Sequence, residues 1–241
     1  GWVNYIIYFI KNNLTLYDYV IYTISAFSIY SLGIFFWLRS LKIDFWIAFT
    51  VSIVTICSLK ITETIRFPNA AHSAAWMPWI LYGINLIDKN FTLKNFFLIF
   101  ISNFFLITAG YPYFIVYSLF LFIPYIIIFV PLISAKNNFL KYNLLRYTKI
   151  SLPFLLSYLL AFPWLFKVKL FLESLVDRTI INWEFATAHK FFWKDTLGSW
   201  IFPPASSTEG WYYFGIITTI LIFFCLYIFF IKKKIIDEEK Y

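Results

Sequence analysis

The chain has 241 residues, of which 61% are hydrophobic, 24% aromatic and only 13% charged, with a mean hydropathy of +0.75. A soluble domain carries about 25% charged residues, so this chain lacks the polar surface to face water all round, and the composition predicts an integral membrane protein. The net charge of +8 would raise the question of nucleic acid in a soluble protein; here its placement between apolar runs bears on membrane orientation, and no nucleic-acid partner is expected.

The chain begins at Gly1, with no basic leader and small-residue cleavage site behind it, so no signal peptide is read. Residues 2–10 are apolar and are expected to be an eighth, truncated or interfacial segment. Charge-free runs then set the spans, each needing about 20 residues. They fall at 19–38, 45–59 and 67–87, the last carrying His72. The run 95–135 is too long for one crossing, and Gly110-Tyr111-Pro112 inside it is a turn signal that splits it into an antiparallel pair. The next span, 150–166, is bent or ended by Pro163, and the last is 210–231. Backbone groups in lipid must be satisfied internally, and the two-residue alternation of a barrel is absent, so the runs read as helices. The predicted fold is all-α: one transmembrane bundle of about seven spans over 1–241, with 167–209 as a long external loop. Within that loop, residues 167–178 are expected to form a helix lying at the interface. The charged end, Lys232 to Tyr241, and the start at Gly1 suggest a fragment of a longer protein. Cys57 and Cys225 lie in apolar runs and read as core or lipid-facing residues.

Basic residues alternate between loops. Twelve fall in one set: Arg39, Lys42, Lys89, Lys94, Lys136, Lys141, Arg146, Lys149, Lys232, Lys233, Lys234 and Lys240. The short loops of the other set hold three, Lys11, Lys60 and Arg66. That bias puts the first set in the cytoplasm. The remaining five lie in 167–209, too long a loop to count. The unusual chemistry then falls on the external side.

Each external feature has a plain and a functional reading. Arg66 to His72 is a helix start with Pro68 in its first turn and Asn69 as a cap, or a cavity wall where Asn69 and His72 face a substrate and Arg66 holds an anion. The Gly110 turn is a hairpin, or a sheltered cavity wall. Arg178 sits on a solvated face, or binds phosphate through paired hydrogen bonds. His189 is the second of two histidines and could meet His72 across the cavity. Neither has ligand spacing around it, so no metal site is expected. Candidate catalytic carboxylates are Glu173, Asp177, Glu184 and Glu209. No P-loop, dinucleotide fingerprint or nucleophile elbow occurs.

The order of these features resembles the YfhO-type bacterial membrane proteins, which belong with the GT-C-like glycosyltransferases. It comprises Trp76-Met77-Pro78 after a polar turn, then Ala109 to Pro112, where that family often has Gly-His-Pro-Gln. Pro163 followed by Glu173, Ser174 and Arg178 comes next, and then Phe202-Pro203 with Tyr213 and Gly215. The resemblance spans roughly residues 30–220, with Tyr111 and Tyr113 where His and Gln are usual. It implies an enzyme of the bacterial cytoplasmic membrane. Its substrate would be a polyprenyl-phosphate sugar, transferred to a cell-envelope acceptor on the external face, with no further cofactor. It also implies a catalytic acid in a first external loop preceding this chain; Asp18, the earliest carboxylate, stands at a span entrance. The candidate substrate-binding set is Arg66, Asn69, His72, Tyr111, Arg178, His189 and Tyr213. The alternatives are a transporter or flippase of a lipid-linked substrate, which needs polar groups near the midplane, and a non-catalytic assembly protein.

Overall fold

A computed structural model describes residues 15–57, 64–130 and 139–173, together with Ile220, Phe223, Phe224 and Tyr227. Helix α1 (Leu16–Ser40) opens on a reciprocal capping box. The Asp18 N–H donates to Thr15 Oγ1 at 3.3 Å, and the Asp18 carboxylate accepts from the Thr15 N–H at 3.0 Å and hydroxyl at 2.7 Å. Both satisfy donors that a helix start leaves open. The helix ends in a Schellman turn: Ile43 N–H donates to Leu38 O at 3.2 Å and Lys42 N–H to Arg39 O at 3.0 Å. Lys42 takes the left-handed conformation this turn requires, with φ 65°. Helix α2 (Phe45–Ile56), capped by the Asp44 carboxylate on Trp46 N–H at 2.8 Å, returns antiparallel to α1. Ser31 meets Ser52 O and Phe35 meets Phe45 across the pair.

A 3-10 turn, Thr64–Arg66, leads into α3 (Pro68–Ala75) and α4 (Met77–Lys89). The sequence predicts one helix here, but the structure breaks it at Trp76. Pro78 has no N–H for the preceding turn and its ring crowds that turn, so the helix stops and restarts one residue ahead of it. Helix α5 (Leu93–Thr108) is capped by Thr92. The chain turns at Gly110, whose φ of 101° favours glycine, and enters α6 (Tyr113–Pro124). Behind Pro124, α6 continues as a π-helical turn, Tyr125–Phe129. Helix α7 (Phe139–Glu173) is 35 residues long and runs through both Pro153 and Pro163. Pro163 therefore does not end it, and Lys167 and Lys169 lie in its last turns rather than in a separate interfacial helix. A proline removes one intrahelical hydrogen bond, a loss that apolar helices absorb by local adjustment.

The described residues contain no strand, so the all-α class holds for them. Two helices, Tyr17–Ser40 and Arg146–Phe171, are long and apolar enough to cross a membrane; Phe45–Ile56, Leu93–Thr108 and Tyr113–Phe129 are shorter apolar segments. The apolar stretch predicted at 2–10 lies outside the described residues, as does the span at 210–231 apart from four exposed helical residues. The chain divides into two compact units, Gly1–Phe171 and Leu172–Tyr241, and the first carries the packing below.

Within it, α1 runs parallel to the α3–α4 pair, with α2 as the return. Hydrogen bonds join residue i of α1 to a residue 45 to 50 positions later: Tyr22 to Asn69 and His72, Ile29 to Trp79, Ser40 to Asn85 and Lys89. That near-constant offset is the signature of parallel register. From Tyr22 to Ser40 is about 27 Å along the axis at 1.5 Å per residue, close to a hydrocarbon core of about 30 Å. Helix α5 packs antiparallel on α4, with Trp76 against Phe105 and Gly83 against Ile99. The shared core holds Ile80, Ile84, Ile99, Leu106, Phe122 and Ile150. Helix α7 turns Ile150, Pro153, Ser157 and Ala161 inward. Its opposite face is also apolar and uncovered, with Leu159 60% and Phe162 61% exposed. A helix apolar on all sides does not face water stably.

Gly33 sets the approach of α1 to α4. A Cβ there would stand 2.8 Å from Trp79 Cδ1, 2.9 Å from its Nε1 and 3.0 Å from Pro78 Cβ. Trp79 cannot readily yield, because its Nε1–H donates to Ile29 O at 2.8 Å. Gly33→Ala is expected to destabilise the bundle by about 1–3 kcal/mol, measured by detergent-solubilised unfolding; an unchanged midpoint would show that the close approach is not limiting.

Candidate functional site

The parallel register gathers polar side chains at the end of the bundle where α1 and α3 begin. Tyr22 is the hinge of the group. Its hydroxyl donates to Asn69 Oδ1 at 3.2 Å, and its ring stacks on His72 with centroids 3.9 Å apart and planes at 23°. The His72 Nε2 lies 2.8 Å from Tyr22 O. A carbonyl only accepts, so Nε2 carries the proton and Nδ1 is left as an acceptor. That Nδ1 is buried without a hydrogen-bond partner, and His72 has no exposed surface.

Two further polar atoms on the same stretch are also buried and unpartnered, Ser73 Oγ and Trp76 Nε1. Leaving such a group unsatisfied costs about 1–3 kcal/mol. His72 stacks on Tyr22 of α1, while Trp76, four residues on at the helix break, packs on Phe105 of α5. The three atoms offer an acceptor, a hydroxyl and a donor, which suits a polar occupant with hydroxyl groups.

The Gly110 turn closes over this end. Asn69 is the nearest side chain to Gly110, about one van der Waals contact from where a Cβ would stand. The Tyr111 ring lies 6.3 Å from Phe67, 5.6 Å from Tyr113 and 5.5 Å from Phe114. Asn69 is not a cap, contrary to the plain sequence reading. It is the second residue of α3, and the N-cap position, Phe67, makes no side-chain capping bond. The Phe67 carbonyl instead accepts from the Ala70 N–H at 2.7 Å and the Ala71 N–H at 3.1 Å, and Pro68 has no N–H. Arg66 stands immediately before Phe67, placed by its backbone in the 3-10 turn. Among the described side chains, Asp18 is the carboxylate at this end. It is 2% exposed, one turn from Tyr22, and engaged with Thr15 in the capping box.

The structure thus brings Asn69, His72 and Tyr111 together, with Arg66 adjoining them in the chain. Glu173 is the last residue of α7, positioned by backbone only. Asp177, Arg178, Glu184, His189, Glu209 and Tyr213 lie outside the described residues. Among the described residues no three His, Cys, Asp or Glu side chains gather as a metal would need. Tyr22, Ser73 and Trp76 were missed as site residues. Their signal was available only as register, since nothing in the sequence says which residue of α1 faces His72.

A second polar set was also missed. The sequence reading puts the polar groups at the external ends, yet Asn85, Ser102, Asn103 and Ser157 are buried within the bundle. Trp37 Nε1–H donates to Tyr125 Oη at 2.9 Å, Tyr125 O–H to Asn85 Oδ1 at 2.7 Å, and Asn85 Nδ2–H to Ser40 Oγ at 2.9 Å. Asn103 Nδ2–H donates to Ser157 Oγ at 2.6 Å. Asn85, Asn103 and Ser157 each find a partner on another helix, so these pairs join helices rather than line a path. The bundle is therefore polar and open-handed at one end, stitched in the middle and basic at the other. No protein-family model, curated protein or solved structure matches the chain.

The two parts of the Tyr22 contact separate by substitution. Tyr22→Phe keeps the ring stack and loses the bond to Asn69, an expected cost of about 1 kcal/mol. Tyr22→Ala loses both, an expected cost of about 3–5 kcal/mol. Unfolding midpoints in detergent read both; equal losses would mean that the stack on His72 contributes nothing.

Proposed function

We propose that this chain is part of a membrane-embedded, GT-C-like glycosyltransferase, as its resemblance to YfhO-type proteins implies. In this reading it moves a sugar from a polyprenyl-phosphate donor to a cell-envelope acceptor on the external face. The observation that carries the proposal is the convergence of Asn69, the buried His72 and the Gly110–Tyr111 turn at one end of the bundle, next to Arg66 and a helix start without a side-chain cap. Arg39, Lys42, Lys89, Lys94, Arg146 and Lys149 belong to the opposite end. Under the positive-inside rule the basic end is cytoplasmic and the polar end external. The uncovered apolar faces of α1 and α7 meet lipid, and further spans in the remaining chain complete a bundle of about seven in the bacterial cytoplasmic membrane.

In the reaction the acceptor hydroxyl oxygen attacks the anomeric carbon, the bond from that carbon to the phosphate oxygen breaks, and the phosphate leaves with the electron pair. A carboxylate takes the acceptor proton; Glu173, Asp177, Glu184 and Glu209 remain the candidates, since Asp18 is committed to its cap. Arg66 suits the leaving phosphate and Arg178 is a further candidate for it, and preorganised charge of this kind is usually the largest catalytic contribution. His72 Nδ1, Ser73 Oγ and Trp76 Nε1 are suited to sugar hydroxyls. A transporter is the weaker reading, because the polar groups inside the bundle are paired with one another.

The test is sugar transfer by the full-length protein in vesicles supplied with polyprenyl-phosphate sugar, followed by release of polyprenyl phosphate. His72→Ala and Arg178→Ala are each expected to lower turnover at least tenfold while the protein remains folded. Wild-type protein that releases no polyprenyl phosphate with any envelope acceptor would overturn the enzymatic reading, and unchanged turnover in both variants would overturn the site.

A further inference from the structure

The basic end of the bundle contains a cavity of about 280 Å³ between the end of α4 and α7. Its walls include Asp88, Lys89, Asn90, Phe91, Arg146 and Lys149. Three cations against one carboxylate leave two positive charges in excess. Arg146 is fixed at the back of it: its side chain is 6% exposed, and its Nε meets Asp88 Oδ1 at 2.5 Å. Asp88 thus orients the guanidinium and offsets one charge, and the two lysines stand at the rim. The Lys149 ammonium lies 5.7 Å above the Phe91 ring, and the Lys89 ammonium donates to Ser40 O, so both are held near the opening rather than splayed into solvent.

The plain explanation, that the cations merely cap the carbonyl end of α4, accounts for Lys89, the last residue of that helix. It does not account for Arg146 and Lys149, which α7 brings from about 60 residues further along the chain. The surroundings of the cavity are apolar. Phe91 is exposed, as are Leu93 and Phe97 on α5 and Leu152 on α7, one turn beyond Lys149. A charged recess that opens onto apolar helix faces matches an amphiphile, with its phosphate inside and its chains along the helices.

We propose that this cavity binds the phosphate of an anionic phospholipid of the cytoplasmic leaflet, with the acyl chains lying on α5 and α7. Basic pockets between helices on that side hold acidic head groups by such pairing, here with the two lysines at the opening as the head group's partners. The inference rests on the membrane reading above, not on glycosyl transfer.

Native mass spectrometry of the full chain in a neutral detergent tests it, with phosphatidylglycerol, phosphatidylcholine and inorganic phosphate as separate probes. The expected result is one phosphatidylglycerol per chain, bound at least tenfold more tightly than phosphatidylcholine and displaced by inorganic phosphate only at far higher concentration. Each basic residue near an acidic head group contributes roughly fivefold, so Lys89→Gln with Lys149→Gln is expected to weaken binding about tenfold to thirtyfold. Both lysines are exposed, which leaves the fold intact, and a thermal melt of the double variant confirms it. Binding unchanged in that variant overturns the site. Inorganic phosphate that binds as tightly as phosphatidylglycerol overturns the lipid as its ligand. Carbonate extraction of the expressed protein separates the two levels: protein that washes off membranes refutes the membrane reading, whereas protein that stays but ignores phosphatidylglycerol refutes this inference alone.

Discussion

The close approach of α1 to α4 at Gly33 governs what meets what in the first unit. With no side chain at Gly33, the Trp79 ring and Pro78 lie directly against α1, and the Trp79 bond to Ile29 O locks the depth. Parallel helices fixed at one level in their middle are fixed at both ends. One consequence is Tyr22 stacked on His72. The other, about 27 Å away by helical rise, is Ser40 receiving Asn85 and Lys89. A sheltered polar site and a basic cavity therefore depend on the same contact, and the break at Trp76 lets α3 and α4 each meet α1 without one long rigid rod between them.

Between those ends, the problem is polar groups in an apolar interior. On the membrane reading proposed above, helices gain nothing from hiding apolar surface from water, so small residues and interhelical hydrogen bonds decide association, and the pairs between helices suit that setting. Asn103 and Ser157 satisfy each other, and towards the basic end Trp37, Tyr125, Asn85 and Ser40 form a relay across three segments. The relay includes Tyr125, at the point where Pro124 forces α6 into a π-helical turn. Against this background the unpartnered atoms of His72, Ser73 and Trp76 stand out. The chain pairs Asn85, Asn103 and Ser157 across helices but leaves these three atoms without a partner.

Much of the helical layout was legible in the sequence because membrane-type runs and turn residues are local signals. Gly110 marks its turn by conformation alone, whereas the caps at Asp44 and Thr92 emerge only in the structure. Pro78 interrupts a run that its hydropathy made continuous, while Pro163, read as bending or ending its span, does not end α7. A proline two residues into a new helix is tolerated only if a break precedes it, whereas one inside a long apolar helix removes a single bond. The candidate residues Asn69, His72 and Tyr111 were legible as unusual polar groups in apolar surroundings. Tyr22 and the Arg146–Asp88 pair were not, because each is made by helices far apart in sequence.

The central claim is that the two ends of this bundle face opposite sides of a membrane. Accessibility of single cysteines to a membrane-impermeant maleimide tests it most directly. With Cys57 and Cys225 replaced by serine, a cysteine at Asn90 reports the basic end and one at Tyr113 the polar end; both positions are exposed. The account predicts labelling at Tyr113 from outside intact cells and at Asn90 only after the inner face is opened. Labelling of both positions from the same side would contradict it.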